Sequence, residues 1–238
     1  MIVLILAIGG WALWFRHPAV FSTSGGLPLG NLPSGVEPQG LNLVVVTLDT
    51  TRADRLGAYG YKQAGTPNVD ALAQDGVLFE HASTAAPITL PAHSSLFTGR
   101  FPPQHGVRDN GGYFLNDSEQ TLAETLKARG YATGGFIAAY VLDSKWGINQ
   151  GFDTYFDDFD LSKYKVFSMG MIQRRGDEVV DHALPWMEQH LASPFFAWIH
   201  LYDAHTPYDP PEPYRSQHAG DPYQGTAGLI KTTLMFLS

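Results

Sequence analysis

The distribution of apolar positions along this chain changes period several times, and each change marks an element. "LNLVVVTLD", Leu41 to Asp49, is a continuous β-branched run. It suits a strand buried on both faces, as in a parallel sheet. "TPNVDALAQDG" follows as a short helix, with Thr66 as cap, Pro67 in the first turn and Gly76 as the stop. "VLFEHAS" is predicted as a strand. A helix then runs from Pro91 to Thr98 and closes at Gly99, and another lies in "DSEQTLAETLKARG", capped by Asp117 or Ser118. "YATGGFIAAY" and "PFFAWIHLY" are two further strands. Between them Val179, Val180, Ala183, Leu184 and Met187 recur at helical spacing, and Pro185 is expected to kink or start a helix. Strands alternating with helices define an α/β fold with a mostly parallel sheet and helices on both faces.

The first fifteen residues, "MIVLILAIGGWALWF", carry no charge and precede Arg16. The run is short against the ~20 residues of a full membrane span, yet it lacks the basic start and small-residue cleavage site of a signal peptide. Residues 1–16 are therefore expected to be a membrane anchor or signal-like segment, with a buried first helix as the alternative. Residues 17–40, rich in Gly, Pro and Ser, form a tether. Residues 41–238 form the folded domain, which this arrangement places outside the cytoplasm, in the periplasm or at the cell surface. With 238 residues the chain can bury a large core. A net charge of −8 argues against a nucleic-acid partner. The absence of cysteine removes disulfides, thiolate metal sites and a cysteine nucleophile.

In open α/β sheets, ligands bind beyond the carboxyl ends of the strands. Three polar clusters fall there: Asp49 with Thr50, Thr89 with its neighbours, and Asp203 to His205. Thr89 lies at or just before a helix N-terminus, where free N–H groups favour an anion. Its hydroxyl is either a helix cap or an attacking group. A divalent cation held by Asp49 and Thr89 would activate that hydroxyl and polarise a substrate oxygen. His200 is read as a packing residue within its strand or under the site. His93, on the first turn of the Thr89 helix, and His105, beside Arg108 and Asn110, either bind substrate or orient their loops.

The stretches "LNLVVVTLDTTRADRLGAYGY", "TLPAHSSLFTGRFPPQHGV", "GFDTYFDDF" and "PFFAWIHLYDAHTPYDPP" resemble, in order, the sulfatase-like branch of the alkaline phosphatase superfamily. The resemblance covers roughly residues 41 to 215. "TLPAHSSLFTG" is also similar to the nucleophile motif of nucleotide pyrophosphatase/phosphodiesterases. It implies Thr89 as nucleophile and metal ligand, Asp49 as the first metal ligand, and Thr50 in place of a second ligand aspartate. It further implies His205 as an active-site histidine and Asp203 as a ligand if two metals are bound. Threonine cannot form the formylglycine of many sulfatases, and Gly135 to Tyr140 lack the lysine and histidine that grip sulfate there, which leaves metal, helix amides or His93 to bind the anion.

The expected activity is metal-dependent hydrolysis of a sulfate or phosphate ester, with calcium or zinc as the ion. Its substrate would be a small molecule, glycan or lipid. A membrane transferase of phospho-headgroups and a degenerate binding domain are the alternatives. The later Asp-His-Gly segment of the family is not found before Ser238, so the domain is expected to be C-terminally incomplete.

Overall fold

A computed structural model describes residues 2–8, 40–164 and 168–233. In chain order the elements are β1 (Ile2–Ile8), β2 (Asn42–Leu48), α1 (Pro67–Asp75), α2 (Thr89–Thr98), α3 (Pro102–His105) and α4 (Leu122–Lys127). They continue with β3 (Ala132–Ile137), β4 (Thr154–Phe156), α5 (Gly176–Gln189), β5 (Phe195–Leu201), α6 (Tyr214–Gln217) and α7 (Pro222–Thr233). The strands form one sheet in the order β1-β2-β5-β3-β4. β2, β5, β3 and β4 are parallel, and β1 runs antiparallel along β2.

Alternation along β5 builds the two layers. Side chains of successive strand residues point to opposite faces. Phe196 and Trp198 meet Phe97 of α2, and Trp198 also meets His93. Phe195 meets Trp186 of α5 on the other face. All seven residues of β5 are buried, which explains why its sequence is apolar without a break. The α5 layer can approach closely because residue 134 in β3 is glycine: a Cβ there would fall 2.9 Å from the Trp186 ring. Helices therefore cover both faces, as the alternation of elements predicts.

Several local expectations are corrected. The reading of residues 1–16 as a membrane helix does not hold over 2–8. These residues, including the β-branched Ile2, Val3, Ile5 and Ile8, pair with the edge of β2. Among the described residues no helix is long and apolar enough to cross a membrane. The rest of the expected anchor and residues 17–39 of the tether lie outside the described residues. "VLFEHAS" forms no strand: no partner strand lies beside it among the described residues, and Val77, Leu78 and Phe79 are exposed. Pro185 does not start a helix but sits inside α5. Pro185 and Asp181, whose carbonyl a proline four residues on cannot bond, both lie on the exposed face, where water can take up that carbonyl. Thr66 precedes α1 without capping it. Its hydroxyl accepts from Gly57 N and donates to Asp70 Oδ1.

The cap of α4 is neither Asp117 nor Ser118. Thr121 Oγ1 accepts from Glu124 N at 3.1 Å, and Glu124 Oε2 accepts from Thr121 N at 2.8 Å, a reciprocal capping box. Thr121 Oγ1 also donates to the Gln150 carbonyl. Thr121→Ala should therefore cost about 1–2 kcal/mol. Asp117→Ala should stay within about 0.5 kcal/mol. Urea unfolding of both variants checks this, and equal costs would contradict the assignment of the cap.

Candidate functional site

Register in the parallel ladder sets the site. Thr47 of β2 lies beside His200 of β5, and Ile137 of β3 lies on the other side of His200. Trp198 Nε1 donates to Thr47 Oγ1 at 3.1 Å, so these side chains share the α2 face. One step beyond β2, Asp49 N donates to the Leu201 carbonyl at 2.9 Å. Asp49 is thereby held where the ladder ends, and its Oδ2 lies 3.5 Å from His200 Nε2. His200 and Tyr202, two residues apart, both belong to this face.

Helix α2 closes the face from above. It begins at Thr89, two residues earlier than predicted, and Ile88 holds the cap position without a side-chain hydrogen bond. The Thr89 hydroxyl is thus not a cap. It lies within reach of the Asp49 carboxylate and the Tyr202 phenol. The helix end is satisfied from elsewhere: Leu90 N donates to Asn110 Oδ1 at 2.8 Å. One turn on, His93 is completely buried, its ring 5.0 Å from that of His200 and 5.3 Å from that of Trp198. His93 Nδ1 lies 2.8 Å from the Thr89 carbonyl. A carbonyl only accepts, so Nδ1 carries the proton and Nε2 is a bare lone pair.

Asp49, His93 and His200 form a buried group whose ligand atoms all lie within 4.8 Å of one another. His93 Nε2, His200 Nδ1 and His200 Nε2 have no hydrogen-bond partner. A buried water or a bound ion would satisfy such atoms. The residues present thus fit the divalent cation that the resemblance implies. The electrostatics agree. Burial pushes the Asp49 carboxyl up, but His200, His93 and Thr89 together outweigh it and hold it below the ordinary carboxylate value. Burial, reinforced by His200, pushes His93 down to about 3 and keeps the imidazole neutral. Burial and the neighbouring Asp49 push the Tyr202 phenol up, so it stays protonated.

The other residues singled out in the sequence divide. His205 is half-buried and stacks on Tyr202 with ring centres 4.2 Å apart. Its Nδ1 lies 2.6 Å from the Thr206 carbonyl, which leaves Nε2 as the acceptor. Thr50 is exposed and holds a φ of 50°, a strained value for a β-branched residue. Asp203 belongs elsewhere. Its Oδ1 accepts from Gly176 N at 3.0 Å at the start of α5, and a Cβ on Gly176 would fall 2.4 Å from Oδ2. Asp203 thus packs with Leu201 against Gly176 of α5 and is not in the Asp49 group. His93, read as binding substrate or orienting its loop, is fully buried. His105 is a loop anchor: its Nδ1 accepts from Val107 N and its Nε2 faces Ser95 Oγ at 2.9 Å.

His200, read from the sequence as packing in its strand or lying under the site, does lie under it, beside Asp49. Its signal was period two with Trp198 and Tyr202, which places it on the same face as α2. Its strand neighbours, however, could be known only from the sheet order.

The comparisons with known proteins fit this geometry. The sulfatase family model matches residues 41–232, so the chain belongs to the sulfatase family. Mouse steryl-sulfatase is 37% identical over 111 residues, 42% of this chain and 18% of that protein. The ulvan-active sulfatase of Formosa agariphila is 28% identical over 204 residues, 77% of this chain and 39% of that protein. Among solved structures, Ps i-CgsB in complex with k-i-k-neocarrahexaose superposes with a TM-score of 0.68 at 19% identity, covering 82% of this chain and 53% of that one. The chain thus spans less than two-fifths of these two curated relatives and about half of the solved one.

The position of Asp203 gives a direct check. Burial raises its carboxyl pKa, partly countered by the Gly176 N–H, so above that pKa the charged form costs stability relative to the unfolded chain. Asp203→Asn keeps an acceptor for Gly176 N and removes the charge. It should leave stability at neutral pH within about 1 kcal/mol or raise it, and Asp203→Ala should cost about 1–2 kcal/mol. Loss of bound metal in Asp203→Asn, measured by elemental analysis, would contradict this placement.

Proposed function

We propose that this domain hydrolyses sulfate esters of glycans, with the Thr89 hydroxyl as the attacking group. The observation that carries the reading is the position of that hydroxyl. It stands free of capping duty at the first residue of a helix, within reach of Asp49 and Tyr202. A helix N-terminus favours the negative charge of the group being transferred. In the reaction, Thr89 Oγ forms a bond to sulfur as the bond from sulfur to the sugar oxygen breaks. The hydroxyl proton leaves Thr89 and reaches the departing alcohol, with His205 Nε2 as carrier. Water then attacks sulfur, releases hydrogen sulfate and returns a proton to Thr89. Asp49, with His93 and His200 behind it, would hold a divalent cation, whose chemistry is to polarise the ester oxygens and lower the hydroxyl pKa.

The substrate class rests on two supports. The ulvan-active relative and the carrageenan-oligosaccharide complex are named for sulfated polysaccharides or their fragments. A cavity of about 870 Å³ also opens beside the site, from Thr50 and Ala92 out to Tyr59, Leu78 and Phe79. Its size suits several sugar rings, since ordinary ligand sites reach about 1,000 Å³.

The test is turnover of aryl sulfate, aryl phosphate and sulfated oligosaccharide by the purified chain, with Thr89→Ala and Thr89→Ser. Thr89→Ala should lower kcat by about 10³-fold or more, whereas Thr89→Ser should retain a measurable part of it. Unchanged turnover in Thr89→Ala would overturn the nucleophile. Turnover of the phosphate alone would overturn the sulfate assignment.

A further inference from the structure

We infer that Asp49, His93 and His200 form a nitrogen-rich cation site that takes zinc or a zinc-like divalent ion and discriminates against calcium. The inference rests on the reading of Asp49 as the centre of the reactive site and adds the two histidines as ligands. Three observations carry it. Both imidazoles are completely buried, Asp49 is nearly so, and their ligand atoms lie within 4.8 Å of one another. Three imidazole nitrogens, His93 Nε2, His200 Nδ1 and His200 Nε2, are buried with no partner. Finally, the ring nitrogen of His93 that points away from the group is tied to the Thr89 carbonyl at 2.8 Å. That bond fixes the tautomer and presents Nε2 as a lone pair, the arrangement metal-ligating histidines use.

The donor set decides the class of ion. Two imidazoles and one carboxylate match the preference of zinc, whose structural and catalytic sites use few ligands. Calcium requires six to eight oxygen ligands. The Thr89 hydroxyl and the Tyr202 phenol stand near Asp49, but the rings of Trp198, His93 and His200 packed there add no oxygen toward that number. The 3.5 Å between His200 Nε2 and Asp49 Oδ2 is long for a hydrogen bond yet suits two ligands of one small ion. The Thr89 hydroxyl, within reach of Asp49, stands beside this group, so the same ion would neighbour the attacking oxygen.

The test uses the untagged 238-residue chain, stripped of metal by chelation and titrated calorimetrically with zinc and, separately, with calcium. One zinc ion per chain should bind, and calcium at the same concentration should not compete. His93→Gln and His200→Gln should each weaken zinc binding at least about tenfold. The exposed His81→Gln should leave it unchanged, with circular dichroism confirming that each variant is folded. Where a buried variant fails to fold, cobalt bound to the wild-type chain gives a second readout: its visible absorption should show imidazole coordination in low coordination number. Zinc binding unaffected by both histidine variants, or calcium displacing zinc, would overturn the inference. Aryl sulfate turnover by a calcium-loaded, zinc-free chain would overturn it as well and leave the hydrolase reading intact. Tight zinc binding with no ester turnover would do the reverse.

Discussion

The pairing of β2 with β5 is the constraint on which the site depends. The ladder ends with Asp49 N bonded to the Leu201 carbonyl, which fixes the carboxylate at the carboxyl rim of the sheet. The same register sets Thr47 beside His200 and lets Trp198 donate to Thr47. A one-residue slip would turn every β5 side chain to the opposite face. His200 and Tyr202 would then face α5, and Asp203 would face Thr89. The chemistry of the rim is therefore a consequence of strand register before it is a property of any single residue.

The second constraint is the way α2 meets that rim. Phe97 anchors the helix against Trp198 and Phe196, and one turn earlier His93 packs on Trp198 and His200. This seating delivers Thr89 to Asp49 and Tyr202, and Asn110 takes over the helix end that threonine would otherwise cap. Releasing the hydroxyl from capping makes it available for chemistry. The stacked Tyr202–His205 pair extends the arrangement toward solvent. The buried His93–His200 pair extends it inward, where an ion would be shielded from water and its interactions strengthened. The match to the sulfatase family spans residues 41–232 and so includes all of these positions.

The departures at His200, Asp203, "VLFEHAS" and residues 2–8 share one cause. Each concerns a residue whose role is set by a neighbour distant in sequence. His200 looked like a packing residue because a lone histidine in an apolar strand usually is one. Asp203 looked like a ligand because it follows the strand that ends at the site, yet it packs against Gly176 of α5. "VLFEHAS" has the composition of a strand, but a strand needs an edge to join. Residues 2–8 have the hydropathy of a membrane segment, and an available edge on β2 makes them a strand instead.

Period and punctuation in the amino-acid sequence by themselves determined the α/β class, the strands β2, β3 and β5, and the helix that carries Thr89. These rest on local rules: β-branched runs, proline in first turns and glycine at helix ends. The motifs likewise marked Asp49, Thr89 and His205 as the residues of interest. Only the tertiary structure decided which side chains share a face, that His93 and His200 lie together beneath Asp49, and that Asp203 does not. The β2–β5 register that sets the site joins segments more than a hundred residues apart, and no local pattern records it.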